Sequence, residues 1–168
     1  AYADYNDVMA MTEEMISTAA LEVLGSPRTT YRGQEIDLTP PWRRLAVGEA
    51  FLEYAGLDIS ALQAPLALAE ALREKGLPAE ASLGRGRLLD LAISTWVEPN
   101  LVQPTFLIDY PLELSPLAKG KPQDPSLVER FEPFIGGLEL GNAFTELNDP
   151  LEQRERFQQQ ALAREAGD

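Results

Sequence analysis

The chain has 168 residues, of which 14 are basic and 27 acidic, and its formal net charge is −13. It contains no cysteine and no histidine, which excludes disulfides, zinc–thiolate sites, cysteine nucleophiles and histidine general bases. The acidic balance also argues against tight nucleic-acid binding by this chain. The short apolar runs predict no membrane span, and the lack of cysteine fits a cytoplasmic protein.

The first third of the chain predicts a helix, a hairpin and a second helix. Residues 7–24 repeat apolar side chains at helical spacing, and the segment TTYRGQEIDL predicts a short hairpin that turns at Arg32 and Gly33. Residues 46–55 predict a helix that ends at Gly56. The first residue is not methionine, so we expect the chain to be part of a longer polypeptide. The apolar stripe expected to face the core in the first helix consists of Val8, Met11, Met15, Ala19 and Val23.

Residues 58–97 predict a small helical insertion in a domain formed by residues 1–57 and 98–168. One helix of the insertion should begin at Pro65 and end at Gly76, since proline is favoured at helix starts and glycine at helix ends. A second helix is expected over about 86–97. The leucine and tryptophan side chains of these helices are interpreted as core residues, because no pattern between 58 and 97 indicates chemistry.

The remaining sequence predicts strands followed by a helix. A strand over 104–110 should close at Pro111, and 128–135 should pair with 138–145 around Gly136 and Gly137. Asp149, followed by proline, predicts the start of a final helix that should run to about Ala166. The expected fold class is therefore α+β, an incomplete antiparallel sheet flanked by helices and carrying a small helical insertion.

Three residues of the last predicted strand alternate and should share one face: Asn142, Phe144 and Glu146. They place an amide, an aromatic ring and a carboxylate along about 13 Å, at roughly 3.3 Å per residue. This row suits a long cationic amino acid, whose carboxylate, methylenes and ammonium it would contact in turn. The alternative is a solvated strand face with one buried phenylalanine.

Two further acids, Glu132 and Glu139, lie on either side of the Gly136–Gly137 turn, so their strands should be neighbours. Paired carboxylates can share Mg²⁺ with phosphate oxygens, although ordinary cross-strand surface charge is the alternative. In a regular strand Glu139 and Asn142 would lie on opposite faces, because they are an odd number of residues apart. If both face one cleft, the strand must contain a bulge, and Gly141 is its expected position.

Several blocks resemble one family in sequence order. RFEPFIGGLELGNAFTELNDPLEQRERF resembles the region before the last conserved motif of class II aminoacyl-tRNA synthetases, in the lysyl branch. PTFLIDYPLELSPLAK resembles the strand and turn that precede it there, and AYADYNDVMAMTEEM resembles the helix after the second motif. TYRGQEIDL followed by PPWRRL also matches. The resemblance covers nearly the whole chain, is weakest over 58–97, and implies a fragment of the catalytic domain between motifs 2 and 3.

The resemblance implies roles for the five residues. Glu132 and Glu139 match the glutamates that hold Mg²⁺ against ATP, and Asn142, Phe144 and Glu146 match lysine-pocket positions. The implied reaction joins lysine to ATP as lysyl-adenylate and then transfers lysine to tRNA, in a parent enzyme expected to be a homodimer. No complete set of catalytic residues is expected here, because the family's phosphate-binding arginines lie in other motifs. The isolated chain is therefore predicted to be inactive.

Two alternatives remain at this point. One is a fragment of the related ligase that attaches β-lysine to elongation factor P. The other is a paralogue of the synthetases that keeps the fold without activity. Intact TYRGQEIDL and DYPLELSPLAK favour the synthetase, and the presence of all five site residues argues against a decayed paralogue.

Overall fold

Two β-sheets and five α-helices make up the described part of the chain, residues 3–80 and 82–165 of a computed structural model. This mixture confirms the α+β class. Short π-helical segments continue α2 and α4, over Phe51–Ala55 and Ile93–Val97. The helices are α1 (Tyr5–Leu24), α2 (Val47–Ala50), α3 (Pro65–Glu74), α4 (Arg85–Ala92) and α5 (Pro150–Glu165). The strands are β1 (Arg28–Tyr31), β2 (Gln34–Asp37), β3 (Arg43–Ala46), β4 (Thr105–Pro111), β5 (Leu127–Ile135), β6 (Leu138–Glu139) and β7 (Ala143–Phe144).

The central sheet has the order β3-β4-β5-β6, and β7 also pairs directly with β5, at Arg130 and Phe131. All of its pairs are antiparallel except β3 with β4, which are parallel. The sequence did not predict β3, and the sheet is therefore mixed rather than wholly antiparallel. The β4–β5 register slips by one residue between Ile108 and Tyr110. The residue at the slip, Asp109, has a left-handed φ of 59°.

Alternating side chains give the sheet two buried faces. On one face, Phe106 of β4 and Phe131 of β5 pack with Trp42 against α1, through Tyr5 and Met9. On the other face, Leu107, Val128 and Phe134 belong to the largest core cluster. The same cluster contains these buried leucines of α3 and α4: Leu68, Leu72, Leu88 and Leu89.

The start and end of α1 follow from local sequence. Asp4 accepts backbone hydrogen bonds from Asn6 and Asp7, and the Asp7 carboxylate accepts one from the Asp4 N–H, which completes a capping box. Gly25, with a φ of 70°, ends the helix. The predicted helix is confirmed, and it begins two residues earlier than expected.

The predicted buried stripe of α1 is wrong. Met11 and Met15 are 61% and 63% exposed, and Val23 is 80% exposed. The buried face instead carries Tyr5, Met9, Glu13, Ser17 and Ala20. Glu13 can be buried because its carboxylate accepts hydrogen bonds from the Trp42 backbone and from Arg44, which satisfies a charge that would otherwise be costly to bury.

The hairpin, the second helix and both insertion helices lie where the sequence predicts them. Arg32 and Gly33 both have positive φ values, 49° and 79°, as the tight β1–β2 turn requires. Gly56 and Gly76 follow the second helix and α3 with φ of 62° and 88°. No helix in residues 3–80 and 82–165 has the length and apolar character needed to cross a membrane. The division of the chain at residues 58 and 97 stays a prediction.

The final helix begins as predicted, with Asp149 accepting hydrogen bonds from the N–H groups of Leu151 and Glu152. The helix packs through Arg156, whose guanidinium is buried and donates to the carbonyl oxygens of Pro116 and Ala118. Its expected end at about Ala166 lies outside the described residues. This packing attaches α5 to the segment that precedes β5.

Candidate functional site

The strand predicted over 138–145 is broken into β6 and β7, and the break brings the candidate residues together. Glu139 pairs with Phe134, whereas Phe144 pairs with Arg130, so the two registers on β5 differ by one residue. The extra residue lies within 140–142, the region where a bulge at Gly141 was expected. Because directly paired residues point to the same side, Glu139 and Phe144 share the face of Arg130 and Phe134.

The other two predicted pocket residues lie on that same face. The Asn142 side-chain amide is 3.5 Å from a carboxylate oxygen of Glu132. Glu146 pairs with Ala118, which belongs to the largest core cluster, and the Phe144 ring packs against that cluster. Asn142, Phe144 and Glu146 therefore project from one side of the sheet. Glu146 is exposed, and the binding role of all three residues stays a prediction.

Glu132 is 7% exposed, and both of its carboxylate oxygens are engaged. The Tyr110 hydroxyl donates to Oε2 at 2.5 Å, and the Arg130 guanidinium pairs with Oε1. Burial, followed by the Glu132 charge, raises the pKa of Tyr110 well above its usual range. The hydroxyl thus remains protonated at neutral pH and acts as the donor.

Arg130 is itself held in place by three contacts. Its guanidinium donates to the Leu114 carbonyl at 2.8 Å and to Ser115 Oγ at 2.5 Å. It also lies over the Tyr110 ring, with 4.5 Å between the guanidinium carbon and the ring centroid. Tyr110, Arg130 and Glu132 therefore form one connected group on the candidate site.

Sequence reasoning missed Tyr110 and Arg130 as parts of this site. Arg130 could have been found, because it precedes Glu132 by two residues on a strand and must share its face. Tyr110 could not, since simple alternation from Leu107 places it on the opposite face. Only the slip at Asp109 turns Tyr110 towards Glu132.

Negative charge accumulates beside the Gly136–Gly137 turn. Burial, followed by repulsion from Glu132 and Glu139, raises the pKa of Glu98, which lies in a turn that contacts β6. Burial, followed by repulsion from Glu132, likewise raises the pKa of Glu139. Arg130 offsets only part of this charge. The position favours a cation, since an added positive charge would relieve the repulsion.

The donor set fits a hard divalent cation that also binds phosphate. No three acidic side chains in residues 3–80 and 82–165 are placed to hold a metal ion by themselves. Glu132 and Glu139 offer carboxylate oxygens, and Mg²⁺ commonly takes one or two carboxylates together with phosphate oxygens and water. Oε2 of Glu132 accepts only from Tyr110 and keeps a lone pair for a cation, whereas Oε1 is contacted by both Arg130 and Asn142. These residues thus fit Mg²⁺ bound jointly with a nucleotide.

Replacing Glu139 by glutamine should raise the Tm of the 168-residue chain slightly at pH 7, because the change removes repulsion with Glu132 and Glu98 that solvent partly screens at the exposed Glu139 side chain. A raised native pKa means that the folded chain loses stability as pH rises through and above the ordinary glutamate value of 4.5. The gain should therefore shrink as the pH falls from the raised native pKa towards 4.5 and should be nearly lost below that value, which thermal denaturation from pH 4 to 7 would measure. The exposed Glu155→Gln change serves as the control, and an equal gain in both variants would contradict the prediction.

Comparison with known proteins adds family information to this geometry. The class II tRNA synthetase family (D, K and N) matches residues 1–168. The chain is 52% identical to a lysine–tRNA ligase from Nostoc punctiforme, over the whole chain and 30% of that protein. It is 50% identical to a lysine–tRNA ligase from Roseiflexus castenholzii and 48% identical to one from Pelotomaculum thermopropionicum, again over the whole chain and 34% of each protein.

The chain spans about a third of the length of the curated relatives that it matches. The family match covers every element of the fold, including both sheets and the helical segment over 58–97. Glu132, Glu139, Asn142, Phe144 and Glu146 all lie inside the matched region. The chain belongs to the class II tRNA synthetases of the D, K and N group.

Proposed function

We propose that this chain is the part of a lysine–tRNA ligase that contacts lysine and the metal-bound phosphates of ATP. One observation supports the proposal most directly. The one-residue difference in register puts Glu139 and Phe144 on the same face of the sheet, where Asn142 reaches Glu132. The relatives named lysine–tRNA ligase support the choice of amino acid.

The proposed lysine contacts follow the order of side chains along the strand. The Asn142 amide would donate to the lysine carboxylate, Phe144 would pack against the methylenes, and Glu146 would pair with the terminal ammonium. A hydrogen bond to a charged group contributes about 1.5–3 kcal/mol. The Glu146 carboxylate is exposed in this chain, so we infer that other parts of the ligase enclose it.

The proposed first reaction forms lysyl-adenylate. An oxygen of the lysine carboxylate forms a bond to the α-phosphorus of ATP, the bond from that phosphorus to the bridging oxygen breaks, and pyrophosphate leaves with the electron pair. A hydroxyl oxygen of the terminal adenosine of tRNA then forms a bond to the lysyl carbonyl carbon and loses its proton, the bond from that carbon to the phosphate oxygen breaks, and AMP leaves. Neither step requires a histidine base, so a chain without histidine is compatible with this chemistry.

Glu132 and Glu139 would hold Mg²⁺ together with the ATP phosphates. When bound, Mg²⁺ supplies positive charge that offsets the phosphates. The contribution of the chain itself is positional: it holds two carboxylates beside the turn and presents the lysine-binding row on the same face. Holding reactants in a productive arrangement is a major source of rate acceleration.

The wider assembly is part of the same proposal. We infer that residues 58–97 form an insertion in the catalytic domain, that the full-length ligase is a cytoplasmic homodimer, and that tRNA binds mainly outside this acidic chain. Because this chain spans about a third of its relatives, activity is expected to require the remaining two thirds.

Pyrophosphate exchange tests the assignment. The full-length ligase that carries this segment should exchange pyrophosphate into ATP in the presence of L-lysine, and the 168-residue chain alone should be at least about 100-fold slower, the scale seen when electrostatic contacts to a transition state are removed. Exchange dependent on β-lysine and not on L-lysine would instead favour the elongation factor P ligase. Absence of exchange with either amino acid would favour a non-catalytic paralogue.

A further inference from the structure

Two residues outside the proposed ligand-binding set control the Glu132 carboxylate. Tyr110 donates to one of its oxygens at 2.5 Å and Arg130 pairs with the other. A carboxylate on a free side chain can rotate about its last torsion, whereas one held at both oxygens has a single orientation. Glu132 is therefore oriented by the protein before any ligand arrives.

Tyr110 reaches Glu132 because of the register slip between β4 and β5. The register passes from Ile108↔Phe131 to Tyr110↔Val128, so Asp109 alone lies opposite two residues of β5, Glu129 and Arg130. Asp109 has a φ of 59° and its carboxylate lies 2.6 Å from the Lys121 ammonium. Bulges of this kind redirect the following side chain, and here the redirected side chain is the donor to Glu132.

Arg130 has two further anchors besides Tyr110 and Glu132. The guanidinium donates to the Leu114 carbonyl and to the Ser115 hydroxyl, and both acceptors belong to the turn after β4. A charged group placed by one backbone and one side-chain acceptor of the same turn needs no rearrangement to meet its carboxylate. The pair also satisfies a Glu132 charge that is too buried to rely on water.

We propose that Tyr110 and Arg130 are positioning residues that hold Glu132 in the orientation in which it binds metal and ATP phosphate. This inference rests on the proposed function, since it assigns a purpose to the fixed orientation of a ligand-binding carboxylate. Residues that orient metal ligands commonly change metal affinity by about 10- to 100-fold when they are replaced. The expected loss is therefore in affinity for the metal and nucleotide, and not in affinity for lysine.

The test uses the full-length ligase and measures Mn²⁺ affinity by electron paramagnetic resonance, with a non-hydrolysable ATP analogue present. Tyr110→Phe keeps the ring and removes the donor, and should weaken Mn²⁺ binding about 10-fold. Lysine affinity from calorimetry should stay within about twofold of the unmodified enzyme. The matched control is Tyr54→Phe, because the Tyr54 hydroxyl contacts Arg43 at a separate exposed ion pair.

A double-mutant cycle separates positioning from general structural damage. If Tyr110 acts through Glu132, Tyr110→Phe should add no further loss of Mn²⁺ affinity to a Glu132→Gln enzyme. Arg130→Lys, which keeps the charge but loses the planar fork, should weaken Mn²⁺ binding in the same direction. It provides a second measurement if Tyr110→Phe lowers the yield of folded protein.

The outcomes separate the proposed role of Glu132 from the positioning role of Tyr110 and Arg130. Unchanged Mn²⁺ affinity in Glu132→Gln would overturn the proposed role of Glu132 and this inference with it. A loss in Glu132→Gln without a loss in Tyr110→Phe or Arg130→Lys would overturn the inference alone. Equal losses of Mn²⁺ and lysine affinity, or additive losses in the double variant, would assign Tyr110 and Arg130 to general stability instead.

Discussion

Glu146→Gln in the full-length ligase is expected to raise the KM for lysine about 10- to 100-fold, the factor that corresponds to one hydrogen bond with a charged partner. Glutamine keeps the size of the side chain and removes the charge that would attract the terminal ammonium. The KM for ATP should change little, because the acids proposed to bind metal, Glu132 and Glu139, are unaltered. Pyrophosphate exchange at varied lysine and ATP concentrations measures both constants.

A neighbouring glutamate supplies the matched control for this experiment. The backbone of Glu129 bonds to Lys119 and Thr145, close to Glu146 along the same strands. The Glu129 charge contributes to the raised pKa of Tyr5 in α1. Glu129 is adjacent to Arg130 on β5, so its side chain lies on the face of the sheet opposite to Arg130 and Glu146. Glu129→Gln should leave the KM for lysine nearly unchanged. Equal losses for lysine and ATP in Glu146→Gln would remove Glu146 from the proposed lysine pocket.

Phe106→Ala is expected to lower the free energy of unfolding of the 168-residue chain by about 3–5 kcal/mol, the range for removing a large buried aromatic side chain. Phe106 is fully buried and its ring centroid lies 5.2 Å from those of both Trp42 and Phe131. Removal of the ring also deprives the Arg44 guanidinium of the aromatic face over which it lies. Urea denaturation followed by circular dichroism would measure the loss.

The exposed face of α1 provides the comparison. Met15 is 63% exposed, so Met15→Ala in the same chain should change the free energy of unfolding by no more than about 0.5 kcal/mol. A loss in Met15→Ala comparable to that in Phe106→Ala would mean that α1 packs through its methionines after all. That result would restore the stripe predicted from the sequence and contradict the outward orientation of Met15.

Local signals in the sequence predicted most elements of this fold. Gly33 at the hairpin turn and Asp149 before a proline each act through their own backbone neighbourhood, so their effects can be read without the rest of the chain. Strand β3 was missed because it is four residues long and pairs in parallel with β4, more than fifty residues away in the sequence. No local sequence pattern predicts such a pairing.

Prediction failed in α1 for a different reason. The helix buries Glu13 and Ser17 while Met11 and Met15 face outwards, which reverses the usual distribution of polar and apolar side chains. The burial of Glu13 depends on partners near Trp42, about thirty residues further along the chain. Hydrophobic periodicity cannot detect a polar residue that is satisfied by a distant donor.

The candidate site also contains some features that local sequence predicts and others that it does not. Alternation correctly implied that Asn142, Phe144 and Glu146 share a face, and the parity of Glu139 indicated a bulge before them. Of the two partners of Glu132, alternation predicts Arg130 but not Tyr110, because Tyr110 faces Glu132 only through a second bulge. Predictions from strand alternation fail where a residue other than glycine adopts a left-handed backbone conformation, as Asp109 does.

The Gly136–Gly137 turn is wedged between two unrelated parts of the chain. A Cβ atom on Gly136 would lie 2.6 Å from the Tyr31 ring, and one on Gly137 would lie 3.5 Å from the Glu98 carbonyl oxygen. The turn that links Glu132 to Glu139 is therefore in close contact with Tyr31 on one side and with Glu98 on the other, which keeps three acids near one another. The Mg²⁺ that we propose for this site would offset their repulsion.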